Sequence, residues 1–543
     1  MYVDAILDRD EDKILVSERV AGKRVERKIE PSYRLYYRDK NGDYNSIFGE
    51  RLSKFETNNR SKFYAKKQEL DGQSLFESDT NVLFNTLYEH YHGKPTPVLN
   101  LGCLDIEVDY SPDIGFSNPE NPYAPVNAIS VYLSWADTMI TLAVPPKTMT
   151  WDEAKEAVAE FDNTYLFKNE RDMLEMFLKV VEDVDVFTGW NSTGFDIPYM
   201  VLRIKKALGD EYTKGMCLWD KEPVRREYEQ FNKTVFTFDT VGKAHLDYLE
   251  LYKKNTYQEL HSYKLDFVGE LEVNENKTPY EGSLHDLYNK DFNKFIAYNR
   301  QDTMLLVKID RKKKFIELHN QLAHSICVDF KATMGSVAII DQAIVNEAHE
   351  RGFIVFDKRG FRQEGKAAGA YVRDPITGLH RWVGACDINS LYPSCIRALN
   401  MSPETVVGQI RQTMTRRLID QRIADGMSPT DAWHEMFGSV EFQEVMKQSD
   451  VTLTVDFDKN GVPMSRSDEM TAKEIYEWIF AEGSNLCLSA NGTIFRTDIE
   501  GVIPGLLARW YADRKSMKKK SGTYFKMAVG VEIDQDLGKM LAA

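Results

Sequence analysis

The chain has 543 residues, of which 43% are apolar, 12% aromatic and 28% charged; this excludes a disordered or fibrous protein and leaves room for three or four domains at roughly 150 residues each. A net charge of −15 excludes a uniformly basic nucleic-acid module, although basic residues cluster locally at 311–314 and 509–520. Six scattered cysteines, with no Cys-x-x-Cys or Cys/His cluster, exclude a disulfide scaffold and a zinc site and suit a reducing cytosol, and no apolar run is long enough to span a membrane.

In chain order, the first hundred residues read as short strands. Alternation over 33–38 and the Asn41-Gly42 pair predict a hairpin-rich module. Residues 98–109 are strand-like and run into a Pro/Asn-rich loop at 111–125. Helical patterns at 170–181 and 198–208 then alternate with strand patterns, which favours an α/β layer. A long helix is predicted over 291–314 and a strand over 383–387, broken by the Pro after Tyr392. Ser428, Pro429 and Asp431 form a helix start, followed at helical spacing by Trp433, Met436, Phe437 and Val440. A last helix is expected after Pro504.

Asp105 and Glu107 are two apart in Leu-Asp-Ile-Glu-Val-Asp-Tyr, so on a strand they project from one face. Two acids on an otherwise apolar strand repel and lose hydration; a divalent cation, which favours hard oxygen ligands, offsets both costs. The pair alone also fits an exposed edge strand. Asp196 precedes a Pro that opens a helix, where Asp also serves as a cap. Tyr298 and Asp302 are four apart and share a helix face, as hydrogen-bonded structural pairs do. Taken together, four carboxylates can hold two metals about 4 Å apart, one activating water and the other stabilising a leaving 3′ oxygen. Tyr298 can then orient the water, and Phe195 can wedge the terminal bases.

These three motifs, in this order and spacing, resemble Exo I, Exo II and Exo III of the DEDD exonucleases as they occur in family B DNA polymerases. The segment 262–273 is similar to the family's stretch between the second and third motifs. The resemblance implies an RNase H-like 3′→5′ exonuclease domain, with Asp105, Glu107, Asp196 and Asp302 as metal ligands and Tyr298 as a further catalytic residue.

In the second half, Cys-Asp-Ile-Asn-Ser-Leu-Tyr-Pro-Ser-Cys-Ile (386–396) places an acid at a strand end beside a tight turn. Such an acid can hold a metal while the turn's N–H groups face phosphates; a capped turn with a core Tyr is the plain alternative. The string resembles motif A of family B polymerases. By resemblance Asp387 is catalytic and, with Ile388, holds metal; Tyr392 stacks beneath the incoming sugar; the amides of Ser390 and Leu391 face the triphosphate. Residues 400–408 continue the likeness, and 367–372 are similar to the family's short template-strand motif. Residues 501–520 resemble the first fingers helix. There Arg514 and Lys518 share a face, and by resemblance they contact the β- and γ-phosphates; a solvated basic face is the other reading.

The family's motif B (Lys-x-x-x-Asn-Ser-x-Tyr-Gly) and motif C (Tyr-Gly-Asp-Thr-Asp-Ser) do not occur, and two-metal transfer needs carboxylates on both sides of the metal pair. The expectation is the N-terminal subunit of a split replicative DNA-directed DNA polymerase of T-even-like bacteriophage type. Its fold would be α/β and α+β multidomain: an N-terminal β-rich domain (1–99 and 315–358), the exonuclease domain (100–314), a partial palm (359–498, with an insertion at about 411–481) and the start of the fingers (499–543). The resemblance further implies Mg²⁺ or Mn²⁺, two ions per active site. Implied partners are primer-template and single-stranded DNA, dNTP, a C-terminal polypeptide carrying motifs B and C, and a sliding clamp reached through the assembled enzyme. No membrane is expected, and the location would be the cytoplasm of a phage-infected bacterium. The alternatives are a free-standing 3′→5′ DNA exonuclease with a vestigial polymerase part and a non-catalytic nucleic-acid-binding protein.

Overall fold

The computed structural model describes residues 1–110, 114–230, 233–256, 258–358, 375–388, 390–411, 420–428, 431–432 and 446–528. The chain forms two compact units, one of residues 1–34, 56–69 and 80–343, the other of 35–55, 70–79 and 344–543. The fold is mixed α/β and multidomain.

The first unit opens with an antiparallel three-stranded sheet of Tyr2–Asp8, Lys13–Val20 and Lys23–Ile29. Its main sheet has six strands in the order Thr164–Leu166, Thr138–Ala143, Val126–Leu133, Leu101–Val108, Val186–Thr188, Ala244–His245. Leu101–Val108 lies centrally, antiparallel to Val126–Leu133 and parallel to Val186–Thr188. Period-two alternation sorts its side chains. Leu104 and Ile106 enter a core with Phe177, Ile197 and Met200 from the helices Glu170–Val180 and Asp196–Ala207. Cys103 enters a second core with Leu305, Leu306 and Ile309 of the helix Phe292–Lys313. Asp105 and Glu107 share the Cys103 face, so the strand carries its acids toward that helix.

Asp291 caps the Phe292–Lys313 helix by accepting from the Lys294 N–H at 3.0 Å, and the helix ends where Lys314 turns left-handed at φ 55°. The basic run 311–314 therefore occupies a helix C-terminus, where positive charge is favoured. Arg311 pairs with Asp137 at 2.7 Å and Lys313 with Glu272 at 2.6 Å, so this run is engaged within the fold.

In the second unit a five-stranded sheet runs Phe353–Ile354, Tyr44–Ser46, Arg51–Thr57, Tyr33–Arg38, Leu75–Phe76. The Asn41-Gly42 pair does not close the expected hairpin. The strand after it, Tyr44–Ser46, pairs with Arg51–Thr57, which lies between it and Tyr33–Arg38. Gly42 is required by contact: a Cβ there would lie 2.1 Å from the Leu52 carbonyl oxygen.

The described part of the expected insertion is built into a sheet shared with residues on either side of it. Thr452–Lys459 and Val462–Thr471 extend a second five-stranded sheet that contains Val406–Ile410, Thr493–Arg496 and Leu486–Leu488. The helix Ala472–Phe480 buries Ile475 and Ile479 against Ile410, Leu453, Val455 and Ile494. Ser428 does begin a capped turn, its Oγ accepting from the Asp431 N–H at 3.1 Å. Trp433, Met436, Phe437 and Val440 lie outside the described residues, as does 367–372.

The strand expected at 383–387 does not form: these residues are irregular and exposed, with Trp382 and Val383 at 100% and 77% exposure. A strand is stabilised by its ladder, and among the described residues none runs beside this one. The last helix, Val502–Ala528, begins two residues before Pro504, which is tolerated within a first turn.

Candidate functional site

Asp105, Glu107 and Asp302 converge: one carboxylate oxygen from each lies within 4.8 Å of the others. Asp196 joins them from the side. It is the first residue of its helix, whose N-cap is Phe195, and no side chain caps that end. Its Oδ1 instead accepts from the Ile106 N–H at 3.2 Å, between the two strand acids. The carboxylate therefore does not cap its own helix through a side-chain bond; one of its oxygens is turned to the neighbouring strand. Phe195 stacks on Tyr199 at 5.2 Å and packs against the core.

Burial of this much negative charge dominates the electrostatics. Asp105 is raised well above the carboxylate range, first by burial and then by Glu107, Asp302 and Asp196. Glu107 is pushed up to about 8, by burial and then Asp302, and Asp196 to about 7, chiefly by burial. Asp302 is raised as well, burial outweighing its cationic neighbour.

That neighbour is Lys277, which the sequence did not mark. Its ammonium pairs with Asp302 and donates to the Tyr298 hydroxyl at 3.1 Å. The ammonium is held charged, because Asp302 outweighs the cost of burial. Its loop is tied down where the Lys277 N–H donates to Asp266 at 2.8 Å and where Lys308 pairs with Glu275. Asn299 was also missed; its amide donates to Asp105 Oδ2 at 2.8 Å. The only sequence signal for Asn299 was its place beside Tyr298. Lys277 lies in a loop without periodicity.

The residues fit a divalent cation. The donors are hard carboxylate oxygens, and Asp302 Oδ1 is buried with no hydrogen-bond partner, a need that coordination to a cation would meet.

In the second unit, Asp387 and Ile388 are exposed, and no other carboxylate cluster of metal-ligating spacing occurs among the described residues. Ser390, left-handed at φ 53°, precedes the helix Leu391–Ala398; Leu391 and Tyr392 are 46% and 72% exposed. Arg514 and Lys518 are exposed on the Val502–Ala528 helix. The start of that helix is held by the 400–408 segment. Asn400 donates to the carbonyls of Arg496 and Ile499 at 2.7 and 2.8 Å and accepts from the Gly501 N–H at 2.9 Å, while Glu404 accepts from the Val502 N–H at 2.6 Å. A carboxylate at a helix N-terminus also meets the favourable end of the dipole. Arg397 of the shorter helix lies over Tyr511 of the longer, 5.5 Å from the ring centre.

Central strand acids thus face an Asp-bearing helix in one unit, and in the other the helix Leu391–Ala398, which carries Tyr392 and Pro393, lies beside a long basic helix. The model of DNA polymerase family B, exonuclease domain, matches residues 59–268, and that of DNA polymerase family B matches 328–524; the chain belongs to the family B DNA polymerases. It is 28% identical over 361 residues to a DNA-directed DNA polymerase of Escherichia phage RB69, covering 63% of this chain and 39% of that protein. Against a DNA-directed DNA polymerase of Enterobacteria phage T4 it is 32% identical over 248 residues, covering 45% and 27%. A DNA polymerase of Paramecium bursaria Chlorella virus NY2A is 25% identical over 368 residues, covering 61% and 38%. The chain thus spans well under half the length of these relatives. No helix among the described residues is long and apolar enough to cross a membrane.

Proposed function

We propose that this chain is a metal-dependent 3′→5′ DNA exonuclease joined to the motif A half of a replicative DNA polymerase site. The exonuclease part rests on one observation: the convergence of Asp105, Glu107 and Asp302 around the unpartnered Asp302 Oδ1. Asp105, Glu107, Asp196 and Asp302 would hold the ions, taken to be two Mg²⁺ or Mn²⁺. Bound there, the ions supply an acidified water and stabilisation of the leaving 3′ oxygen.

The chain's own groups do the rest. The Asn299 amide holds one oxygen of Asp105, leaving the other for a ligand. Tyr298 keeps its proton, since burial and the nearby acids raise its hydroxyl, and so can orient an attacking water by hydrogen bonding. Lys277 offsets the summed negative charge and stands ready for a charge-assisted contact with the scissile phosphate.

For the polymerase half, Asp387 and Ile388 would hold metal, Ser390, Leu391 and Tyr392 would meet the dNTP, and Arg514 and Lys518 would grip its phosphates. Asp387 belongs to no group of three or more metal-ligating side chains among the described residues, and Trp382, Val383, Ile388, Leu391 and Tyr392 are each exposed. Both features support a second polypeptide that completes the palm with a carboxylate and an apolar face, and that carries the primer-template and clamp contacts. Such an enzyme would work in the cytoplasm of a phage-infected bacterium. The domain division stated from the sequence is retained as part of this reading.

The test is hydrolysis of a single-stranded oligodeoxynucleotide by this chain, dependent on Mg²⁺ and abolished in Asp105→Ala. Primer extension should appear only with a co-purifying partner and only with Asp387 intact. Extension by this chain alone would rule out the two-chain reading.

A further inference from the structure

The chain reaches Asp196 through the loop 189–195, and a second buried carboxylate holds that loop. Asp247 Oδ1 accepts from the Asn191 N–H at 3.0 Å, and Oδ2 accepts from the Thr193 N–H at 2.9 Å. Oδ1 also accepts from the Leu249 N–H at 2.9 Å, which caps the helix Tyr248–Asn255. Asp247 is 4% exposed, and backbone N–H groups, not a cation, meet its charge. A helix cap needs only one acceptor oxygen. The second oxygen, and a share of the first, are given to the loop.

The loop passes this hold on to Asp196. Asn191 and Thr193 flank Ser192, whose carbonyl accepts from the Ile197 N–H at 3.0 Å, one residue past Asp196. Asn191 is left-handed at φ 63°, and its carbonyl accepts from the Gly194 N–H at 3.1 Å. Ser192 Oγ lies 2.8 Å from His245 Nε2. The loop also lies close on the acid-bearing strand: a Cβ at Gly189 would be 2.9 Å from the Leu104 carbonyl oxygen and 2.8 Å from Ser192 Cβ. A shift at Ser192 would therefore be felt at Asp196.

We propose that Asp247 is a positioning residue for the Asp196 carboxylate, acting through the backbone of residues 191–193 to hold it where it can ligate a divalent cation. The inference rests on the exonuclease reading. The oxygens of Asp247 are committed to three N–H groups, so it orients a ligand and is not one itself.

Asn and Ser both cap helices well, so Asp247→Asn and Asp247→Ser keep that duty while weakening the hold on the loop. The readout is Mn²⁺ binding to the otherwise metal-free chain, followed by electron paramagnetic resonance, beside hydrolysis of a single-stranded oligodeoxynucleotide. In each variant the Mn²⁺ dissociation constant should rise about tenfold, as should the Mn²⁺ concentration that half-activates hydrolysis, while KM for the oligonucleotide changes less than about twofold. In an Asp196→Asn background, Asp247→Asn should weaken Mn²⁺ binding by less than about a further twofold, because both changes act through one ligand. Unchanged Mn²⁺ affinity in both Asp247 variants, whatever their melting temperatures, would reduce Asp247 to a helix cap and overturn the proposal. Fully additive losses in the double variant would also overturn it. Should Asp247→Ser fail to fold, Asp247→Asn, which has the shape of the native side chain, carries the comparison. A wild-type chain that neither binds Mn²⁺ nor shortens the oligonucleotide would instead overturn the exonuclease reading itself.

Discussion

The Ile106 N–H donates to Asp196 across 3.2 Å, and this bond places the second-motif carboxylate between two others that are two residues apart on one strand. Asp196→Asn keeps the acceptor oxygen and removes the charge. Exonuclease turnover should fall on the order of 100-fold or more, as for loss of one preorganised electrostatic group. Metal-free thermal stability should not fall, because a buried carboxylate is exchanged for a neutral amide of the same shape. Oligonucleotide hydrolysis and a thermal melt check both; a large drop in melting temperature would mean that Asp196 is chiefly structural.

The same burial makes the site pH-dependent. Glu107 at about 8 and Asp196 at about 7 stand above the ordinary carboxylate value of about 4. A raised acid favours the protonated folded state, so its stabilising contribution is complete below about pH 4 and is lost as pH rises through 7 and 8. Divalent ions bind the deprotonated form and should reverse that loss. The rise in melting temperature with saturating Mg²⁺ or Mn²⁺ should be greater at pH 8.5 than at pH 6, by a few degrees for a difference of about 1–2 kcal/mol. A rise that is equal at both pH values would contradict the assignment of these acids as ligands.

Lys277 compensates Asp302 when no ion is bound. Its side chain is 31% exposed against 2% for Asp302, so solvent screens part of the pair. Lys277→Met should destabilise the metal-free chain by about 1–2 kcal/mol. Saturating divalent ion should shrink that cost, since it supplies the missing positive charge, and melts with and without metal measure the difference. Hydrolysis should slow even at saturating metal if the ammonium also meets the phosphate.

What the sequence revealed of the site followed from periodicity. Asp105 and Glu107 are legible because a strand repeats every two residues, and Tyr298 and Asp302 because a helix brings residues four apart together. Lys277 obeys neither rule: it arrives on a loop held by Asp266 and Lys308, contacts visible only in three dimensions. The Asn41-Gly42 pair has the composition of a hairpin turn, yet the sheet inserts Arg51–Thr57 between the strands it would join. Residues 383–387 have a strand's composition without a ladder partner among the described residues, and a local pattern cannot supply one.

The segment 400–408 was legible as a likeness but not as a device. Asn400 is left-handed at φ 52° and buried, and its amide makes three hydrogen bonds to the backbone that leads into the Val502–Ala528 helix. Gly408 has a steric reason: a Cβ there would lie 2.6 Å from the Asp456 carbonyl oxygen on the adjoining strand, where neither backbone can yield. Asn400→Ala should cost about 2 kcal/mol, because two carbonyls and an N–H lose their partners and a left-handed residue gains no compensation. Gly408→Ala should cost about 1–3 kcal/mol by overpacking. The two should nevertheless differ in kind. Asn400→Ala should raise hydrogen exchange at the start of the Val502–Ala528 helix, whereas Gly408→Ala should raise it across Val406–Ile410 and Thr452–Lys459. Exchange that rises in the same peptides for both variants would show that Asn400 supports the sheet and has no separate hold on the helix.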